Sequence, residues 1–188
     1  TLHQDLKPDN IMIQPDGVVK IIDLGSAFIA GMHETNVPFE REQNLGTIKY
    51  SAPEYQLGRR PTTRADQFSL AMIAYDLFTA SKGSPFGERF INAQTLRDFS
   101  ALSYQPAAQY NPLVPSWIDG ALKKALSLNA DLRYDALSEW MADLKQPNPQ
   151  FLESGSLPLI QRDPLRFWKG LSACLAVMVV VLFWLLVN

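Results

Sequence analysis

Apolar residues along this chain change their period several times, and each change marks a different element. Two short, mainly β-branched runs, Ile11-Met12-Ile13 and residues 18–22, flank Gln14-Pro15-Asp16-Gly17. Proline pre-sets φ and glycine closes the turn, so a small hairpin is predicted. Residues 24–50 keep no period and carry Gly25, Gly31, Pro38 and Gly46, which predicts a long loop. Ser51-Ala52-Pro53-Glu54 then has the form of a capping box opening a short helix. From Thr63 the run ADQFSLAMIAYDLFTA is apolar nearly all round, with Phe68, Leu70, Met72, Ile73, Tyr75, Leu77 and Phe78 covering every face. A helix of that kind is buried, so Asp66 near its start needs hydrogen-bond partners.

Helical spacing returns at Trp117, Ile118, Ala121, Leu122, Ala125 and Leu126, and again at Leu137, Trp140, Met141 and Leu144. Two amphipathic helices are predicted, with their aromatics and Met141 in the core. Pro147, Pro149, Ser154-Gly155-Ser156, Pro158 and Pro164 mark a linker over 146–166. Residues 171–187 then have Ser172 as their only polar side chain, after Phe167-Trp168-Lys169. That length fits a membrane span, so 167–188 is expected to be a transmembrane helix. A signal peptide is excluded by position, since such leaders are N-terminal. Arg162, Arg166 and Lys169 precede the span and only Asn188 follows it. Positive charge stays inside, which predicts a single-pass protein of the cytoplasmic membrane with its globular part in the cytoplasm.

At 188 residues the chain has room for one domain with a real core. Its 19 acids and 17 bases nearly balance, so no basic surface asks for nucleic acid. Cys174 is the only cysteine and lies in the apolar tail, which excludes an intrachain disulfide and a cysteine metal site. The first residue is Thr1, and a polar motif stands at the very edge of the chain, so the sequence is expected to be a fragment.

That motif is His3-Gln4-Asp5-Leu6-Lys7-Pro8-Asp9-Asn10. Pro8, Asp9 and Asn10 are ordinary turn residues, which explains its polarity but not the order of its charges. Asp23-Leu24-Gly25 follows the hairpin, and Gly46-Thr47 leads to Tyr50 and Ala52-Pro53-Glu54. In order and spacing, H-x-D-x-K-x-x-N, D-x-G and G-T-x-x-Y-x-A-P-E, with Asp66 and a late Arg133, resemble the catalytic core of a protein kinase over residues 1–145. The resemblance implies a mainly α (α+β) fold, the C-terminal lobe of a kinase with a small β-hairpin, followed here by one transmembrane helix.

Phosphoryl transfer to a hydroxyl needs a proton acceptor, a cation at the transferring group and oxygen ligands for magnesium. By the resemblance, Asp5 orients the substrate hydroxyl as base, Lys7 neutralises the γ-phosphate of ATP, and Asn10 and Asp23 hold Mg²⁺. Lysine two residues after the aspartate is the serine/threonine pattern, so protein Ser/Thr hydroxyls are the implied substrates. Thr47 is expected to brace Asp5 and Lys7 and to shape the floor of the peptide groove. Asp66 is expected to hold the backbone of the catalytic loop, Glu54 to pair with Arg133, and His3 to be a packed structural histidine.

Gln4 stands where most such kinases have arginine, and Leu24 replaces phenylalanine. A neutral Gln4 leaves a phosphate on Thr35 little to pair with, so loop phosphorylation is expected to matter little. No glycine-rich loop, strand lysine or partner glutamate of a nucleotide-clamping N-lobe occurs in the sequence. The lobe is therefore expected to be inactive alone and to work with an N-lobe upstream. Asn148-Pro149-Gln150-Phe151 and the stretch from Arg162 to Lys169 are similar to bacterial fusions of a metal-dependent protein phosphatase with a kinase. That likeness implies a phosphatase domain upstream but no phosphatase activity in this chain. The rival reading is a non-catalytic scaffold at the membrane, against which the intact Asp5, Lys7, Asn10 and Asp23 weigh.

Overall fold

The computed structural model describes residues 2–27, 45–60 and 62–152, together with Trp168, Lys169, Leu171, Ser172, Leu175 and Met178. The chain divides into two compact units, Thr1–Phe151 and Leu152–Asn188. In the first, the hairpin forms as its pattern predicts, with β1 (Ile11–Ile13) antiparallel to β2 (Val19–Ile21) and Ile11 opposite Ile21. Gly17 adopts φ 84°, and the Val18 amide donates to Asp16 Oδ1 at 3.0 Å. A left-handed residue is what this turn requires, and glycine takes it without strain.

Two helices follow the chain segment 28–44. Helix α1 (Leu45–Tyr50) lies within the stretch predicted to be a loop. A six-residue helix is not stable by itself, and this one is held by packing on α3 (Thr63–Thr79), a contact that leaves no periodic trace in its own sequence. Helix α2 (Pro53–Gln56) forms, but the capping box does not. Its N-cap is Ala52, Pro53 occupies the first helical position, and the Glu54 carboxylate pairs with Arg133.

Helix α3 runs through the centre of the unit. Thr62 Oγ1 accepts from the Arg64 amide at its start, and Ala80 ends it at φ 50°. Phe68, Ala71, Met72 and Tyr75 are fully covered, whereas Leu77 is 78% exposed, so the helix is buried on most faces and not on all. Phe68, Phe86 and Phe90 stack at 5.4–6.5 Å between ring centroids, with Tyr104 edge-on to Phe86, Phe99 edge-on to Phe90, and Tyr75 edge-on to Tyr104. Each such ring contributes about 1.5–3 kcal/mol by leaving water.

Helix α4 (Leu96–Ser100) opens with a true capping box: Thr95 Oγ1 accepts from Asp98 N at 3.2 Å and Asp98 Oδ2 from Thr95 N at 2.9 Å. Helix α5 (Ser116–Ala125) buries Ile118, Ala121, Leu122 and Ala125 against the core. Helix α6 (Leu137–Lys145) buries Trp140, but Met141 is 45% exposed, contrary to the expected core position. Met141 lies one residue, about 100°, round the helix from Trp140 and so sits at the edge of the apolar stripe. Residues 146–151, assigned to the linker by composition, pack back on α5. A Cβ at Gly120 would lie 2.4 Å from that of Phe151, so only glycine lets the two meet. In the second unit Trp168, Lys169, Leu171, Ser172, Leu175 and Met178 are helical and exposed. Among the described residues no helix is long and apolar enough to cross a membrane; most of 171–187 lies outside them.

Candidate active site

The loop from His3 to Asn10 crosses the start of α3, where Asp66 fixes its backbone. Asp66 Oδ2 accepts from the His3 amide at 2.7 Å and Oδ1 from the Gln4 amide at 2.9 Å. Gln4 is held at φ 69°, a left-handed conformation costing a non-glycine residue about 1–3 kcal/mol. Two charge-assisted bonds to adjacent amides offset that strain. His3 is buried and structural in its contacts: Nδ1 accepts from the Asp5 amide at 3.4 Å and Nε2 donates to the Ile22 carbonyl at 3.2 Å. The imidazole therefore ties the loop to the end of the hairpin, one residue before Asp23.

Asp5, Lys7 and Asn10 converge. Lys7 Nζ lies 2.9 Å from Asp5 Oδ2, and Asn10 Nδ2 donates to the same oxygen at 3.2 Å and to the Asp5 carbonyl at 2.8 Å. Both described partners of the carboxylate thus engage Oδ2. Pro8–Asn10 form a single 3₁₀ turn, closed by the Asn10 amide on the Lys7 carbonyl at 3.0 Å. That turn buries Asn10 beneath Asp5, and the Ile22 amide donates to the Asn10 carbonyl at 2.9 Å. Asp23 follows at φ 61°, the second strained residue of the site, with Oδ1 accepting weakly from the Gly25 amide at 3.4 Å.

Two acids outside this loop hold the segment around α2. Glu54 and Arg133 form a buried bidentate pair, Nη1 to Oε1 at 2.7 Å and Nη2 to Oε2 at 2.9 Å. Arg133 also donates to the carbonyls of Ser127 at 2.7 Å and Arg64 at 2.8 Å, and its guanidinium covers the Phe68 ring at 4.8 Å. Every charge there is matched, the condition for a buried ion pair to persist. The other acid, Asp76 near the end of α3, accepts at Oδ2 from Lys49 Nζ at 2.6 Å and from the Tyr50 hydroxyl at 2.8 Å. Burial, with the Asp76 carboxylate beside it, pushes the Tyr50 hydroxyl well above the usual tyrosine range, so it stays a donor.

The structure thus groups Asp5, Lys7 and Asn10, with Asp23 at the end of the adjoining hairpin; Asp66 sits beneath them, and Glu54 with Arg133 forms a separate brace. Thr47 belongs to α1, but its side chain, like Thr35, lies outside the described residues. Asp76 was missed by the sequence pattern, although an acid within an apolar helical run was the same signal that drew attention to Asp66.

The protein kinase domain family matches residues 1–143, and the chain belongs to that family. It is 30% identical over 177 residues to the serine/threonine-protein kinase Pkn1 of Myxococcus xanthus, covering 87% of this chain and 24% of that protein. It is 32% identical over 152 residues to PknB of Mycolicibacterium smegmatis, covering 76% of this chain and 22% of that protein. PrkC of Bacillus subtilis is 28% identical over 144 residues, with 77% and 21% covered. This chain therefore spans under a quarter of the length of these relatives. The kinase domain of Mycobacterium tuberculosis PknI superposes with a TM-score of 0.51 at 23% identity, over 77% of this chain and 44% of that one. The fold is that of a protein kinase, mostly helical with one two-stranded antiparallel sheet among the described residues.

Proposed function

We propose that this chain is the catalytic C-lobe of a protein serine/threonine kinase and that the full-length protein transfers the γ-phosphoryl group of ATP to protein Ser/Thr hydroxyls. The observation that carries the reading is the Asp5 carboxylate, anchored through Oδ2 by Lys7 and Asn10, with no partner on Oδ1 among the described residues. Asp5 accepts the hydroxyl proton as the oxygen–phosphorus bond forms and the bond to the leaving ADP oxygen breaks. Lys7, already beside that carboxylate, meets the charge of the transferring group.

The donor set fits magnesium. Asp23 offers a carboxylate, and the Asn10 amide nitrogen is engaged on Asp5 while no described hydrogen bond occupies its side-chain carbonyl oxygen. These are the hard oxygen ligands Mg²⁺ takes when it shares its coordination with phosphates and water. Bound there, the ion supplies charge neutralisation for the phosphates.

An N-lobe upstream completes the nucleotide site, so the 188-residue chain alone binds ATP weakly. The tail's likeness to phosphatase–kinase fusions supports a phosphatase domain further upstream. Residues 167–188 anchor the protein in the membrane, a reading supported by their composition and by the exposed apolar side chains of Trp168, Leu175 and Met178. The deciding experiment measures label transfer from γ-labelled ATP to serine, threonine and tyrosine peptides by the full-length protein. Transfer to serine or threonine, lost in Lys7→Met, supports the assignment; no transfer by the wild type overturns it. Removing residues 167–188 should release the protein from membranes, and continued pelleting would sink the anchor.

A further inference from the structure

Gly120 stands in the interior of α5, where glycine weakens a helix relative to alanine. What lies against it accounts for its place. A Cβ on Gly120 would come within 2.4 Å of the Phe151 Cβ and 2.6 Å of its Cγ, so the helix gives up stability to seat that one side chain. Phe151 closes a segment, 146–151, that is stiffened in advance. Pro147 and Pro149 fix φ, Asn148 Oδ1 accepts from the Gln150 amide at 3.0 Å, and the Phe151 amide donates to the Asn148 carbonyl at 3.0 Å. Gln146, Pro147, Pro149 and Gln150 are exposed, while Asn148 Nδ2 reaches inward to Asp143 Oδ1 at 2.9 Å.

That bond begins a continuous set of contacts leading to the catalytic loop. Asp143 Oδ2 accepts from the Tyr134 hydroxyl at 2.7 Å. Tyr134 is 1% exposed, and Lys124 Nζ of α5 lies 4.0 Å over its ring. The Tyr134 backbone is bound twice to Gln67: its amide donates to Oε1 at 3.2 Å, and its carbonyl accepts from Nε2 at 3.2 Å. Gln67 follows Asp66, whose carboxylate holds the His3 and Gln4 amides. Arg133, beside Tyr134, donates to the Arg64 carbonyl at 2.8 Å. The first turn of α3 is thus held through two consecutive residues, one of which answers to the segment after α6.

We propose that residues 146–151 are a releasable strap. Docked on Gly120 and Asp143, they fix the first turn of α3 and with it the loop that Asp66 holds; released, they let that loop loosen and phosphoryl transfer slow. The kinetic consequence rests on the kinase reading, and the structural one does not. Release costs little, because the strap is largely exposed and few side chains hold it. It is also the last stretch of its unit, so whatever binds or pulls the chain beyond Phe151 acts on the strap first.

The test compares Phe151→Ala, Phe151→Leu, Asn148→Ala and Gly120→Ala in the full-length protein. It measures kcat and ATP KM, with hydrogen exchange at the amides of His3, Gln4, Leu122 and Phe151. In the wild type the Phe151 amide should exchange at least about tenfold faster than that of Leu122 in α5, the mark of a local opening. Phe151→Ala should lower kcat about fivefold with ATP KM within about twofold, and should speed exchange at His3 and Gln4 without speeding it at Leu122. Phe151→Leu, which still fills the notch, should keep kcat within about twofold of wild type. Gly120→Ala makes α5 a better helix yet displaces Phe151, so kcat should fall as in Phe151→Ala while Leu122 exchanges no faster. Asn148→Ala combined with Tyr134→Phe should cost less than the sum of the two, since both act through Asp143. Equal exchange at Phe151 and Leu122 in the wild type would show that the strap does not release. Faster exchange confined to 146–151 with unchanged kcat, or equal acceleration at every amide, would make the segment a passive end of the fold; each of these results overturns the proposal. If Phe151→Ala does not fold, Asn148→Ala and Gly120→Ala decide by the same readouts. Absence of transfer by the wild type would defeat the kinase reading, and exchange at His3 and Gln4 would still show whether the strap orders the loop.

Discussion

The aromatic core and the catalytic edge of this lobe invert one another. Around α3, Phe68, Phe86, Phe90 and Tyr75 are covered and nearly all polar side chains face outward or are paired. Along residues 2–27 the arrangement is reversed. His3 and Asn10 are buried, while Met12, Ile13, Val19, Ile21 and Leu24 are half exposed or more. Burial follows hydrophobicity in the first region and hydrogen bonding in the second. A polar side chain can be buried where it meets fixed partners, as Asn10 meets Asp5 and His3 meets Ile22. An apolar run can stay exposed if its backbone is satisfied by a partner strand, as in β1 and β2. The site is thus rigid without being hydrophobic.

Substitutions can break this contrast, beginning with the edge. Asp5→Asn keeps the shape of the loop and removes the proton acceptor, so phosphoryl transfer should fall by about 10³-fold or more with little change in melting temperature. Initial rates and circular dichroism on the full-length protein check this, and near-normal transfer would refute the role of Asp5. In the braced region the sign of the contrast changes: Arg133→Ala should destabilise by about 3–5 kcal/mol, because it leaves Glu54 charged and buried without a partner. Denaturant unfolding measures that loss. Replacing both partners, Glu54→Leu with Arg133→Met, should recover much of it, and a double variant as unstable as Arg133→Ala would show that packing, not charge, dominates there.

Asp66→Asn joins the two regions. It loses the charge that holds the His3 and Gln4 amides but keeps one acceptor, so a destabilisation of about 1–2 kcal/mol is expected, together with a fall in kcat. Unchanged kcat at reduced stability would separate the loop's geometry from the acid beneath it. The smallest effect belongs to the exposed hairpin. Ile13→Thr, at a position 73% exposed and suited to a β-branched residue, should change stability by less than about 0.5 kcal/mol. A loss of several times that in the full-length protein would show that the hairpin face is covered there.

The sequence by itself determined the local elements and the chemical inventory. Turn chemistry placed the hairpin through Pro15 and Gly17, a run apolar nearly all round placed α3, periodicity placed α5 and α6, and the resemblance of the motifs from His3 to Asn10 and from Asp23 to Glu54 to those of protein kinases named the residues that the chemistry would need. These signals are short-range, and each residue carries them in its own side chain. What only the tertiary structure decided depends on neighbours far along the chain. Nothing near Leu45 announces α1, because the group that holds it is Asp76, more than twenty residues on. Ser51 offers a capping sequence, yet its amide donates to the Ile48 carbonyl and Glu54 turns instead to the buried Arg133 guanidinium. Met141 shares a helical stripe with Trp140 but lies outside the strip that α5 covers. In each case local preference is worth under a kilocalorie or so and a buried, charged or close-packed contact several times more, so the long-range term sets the outcome.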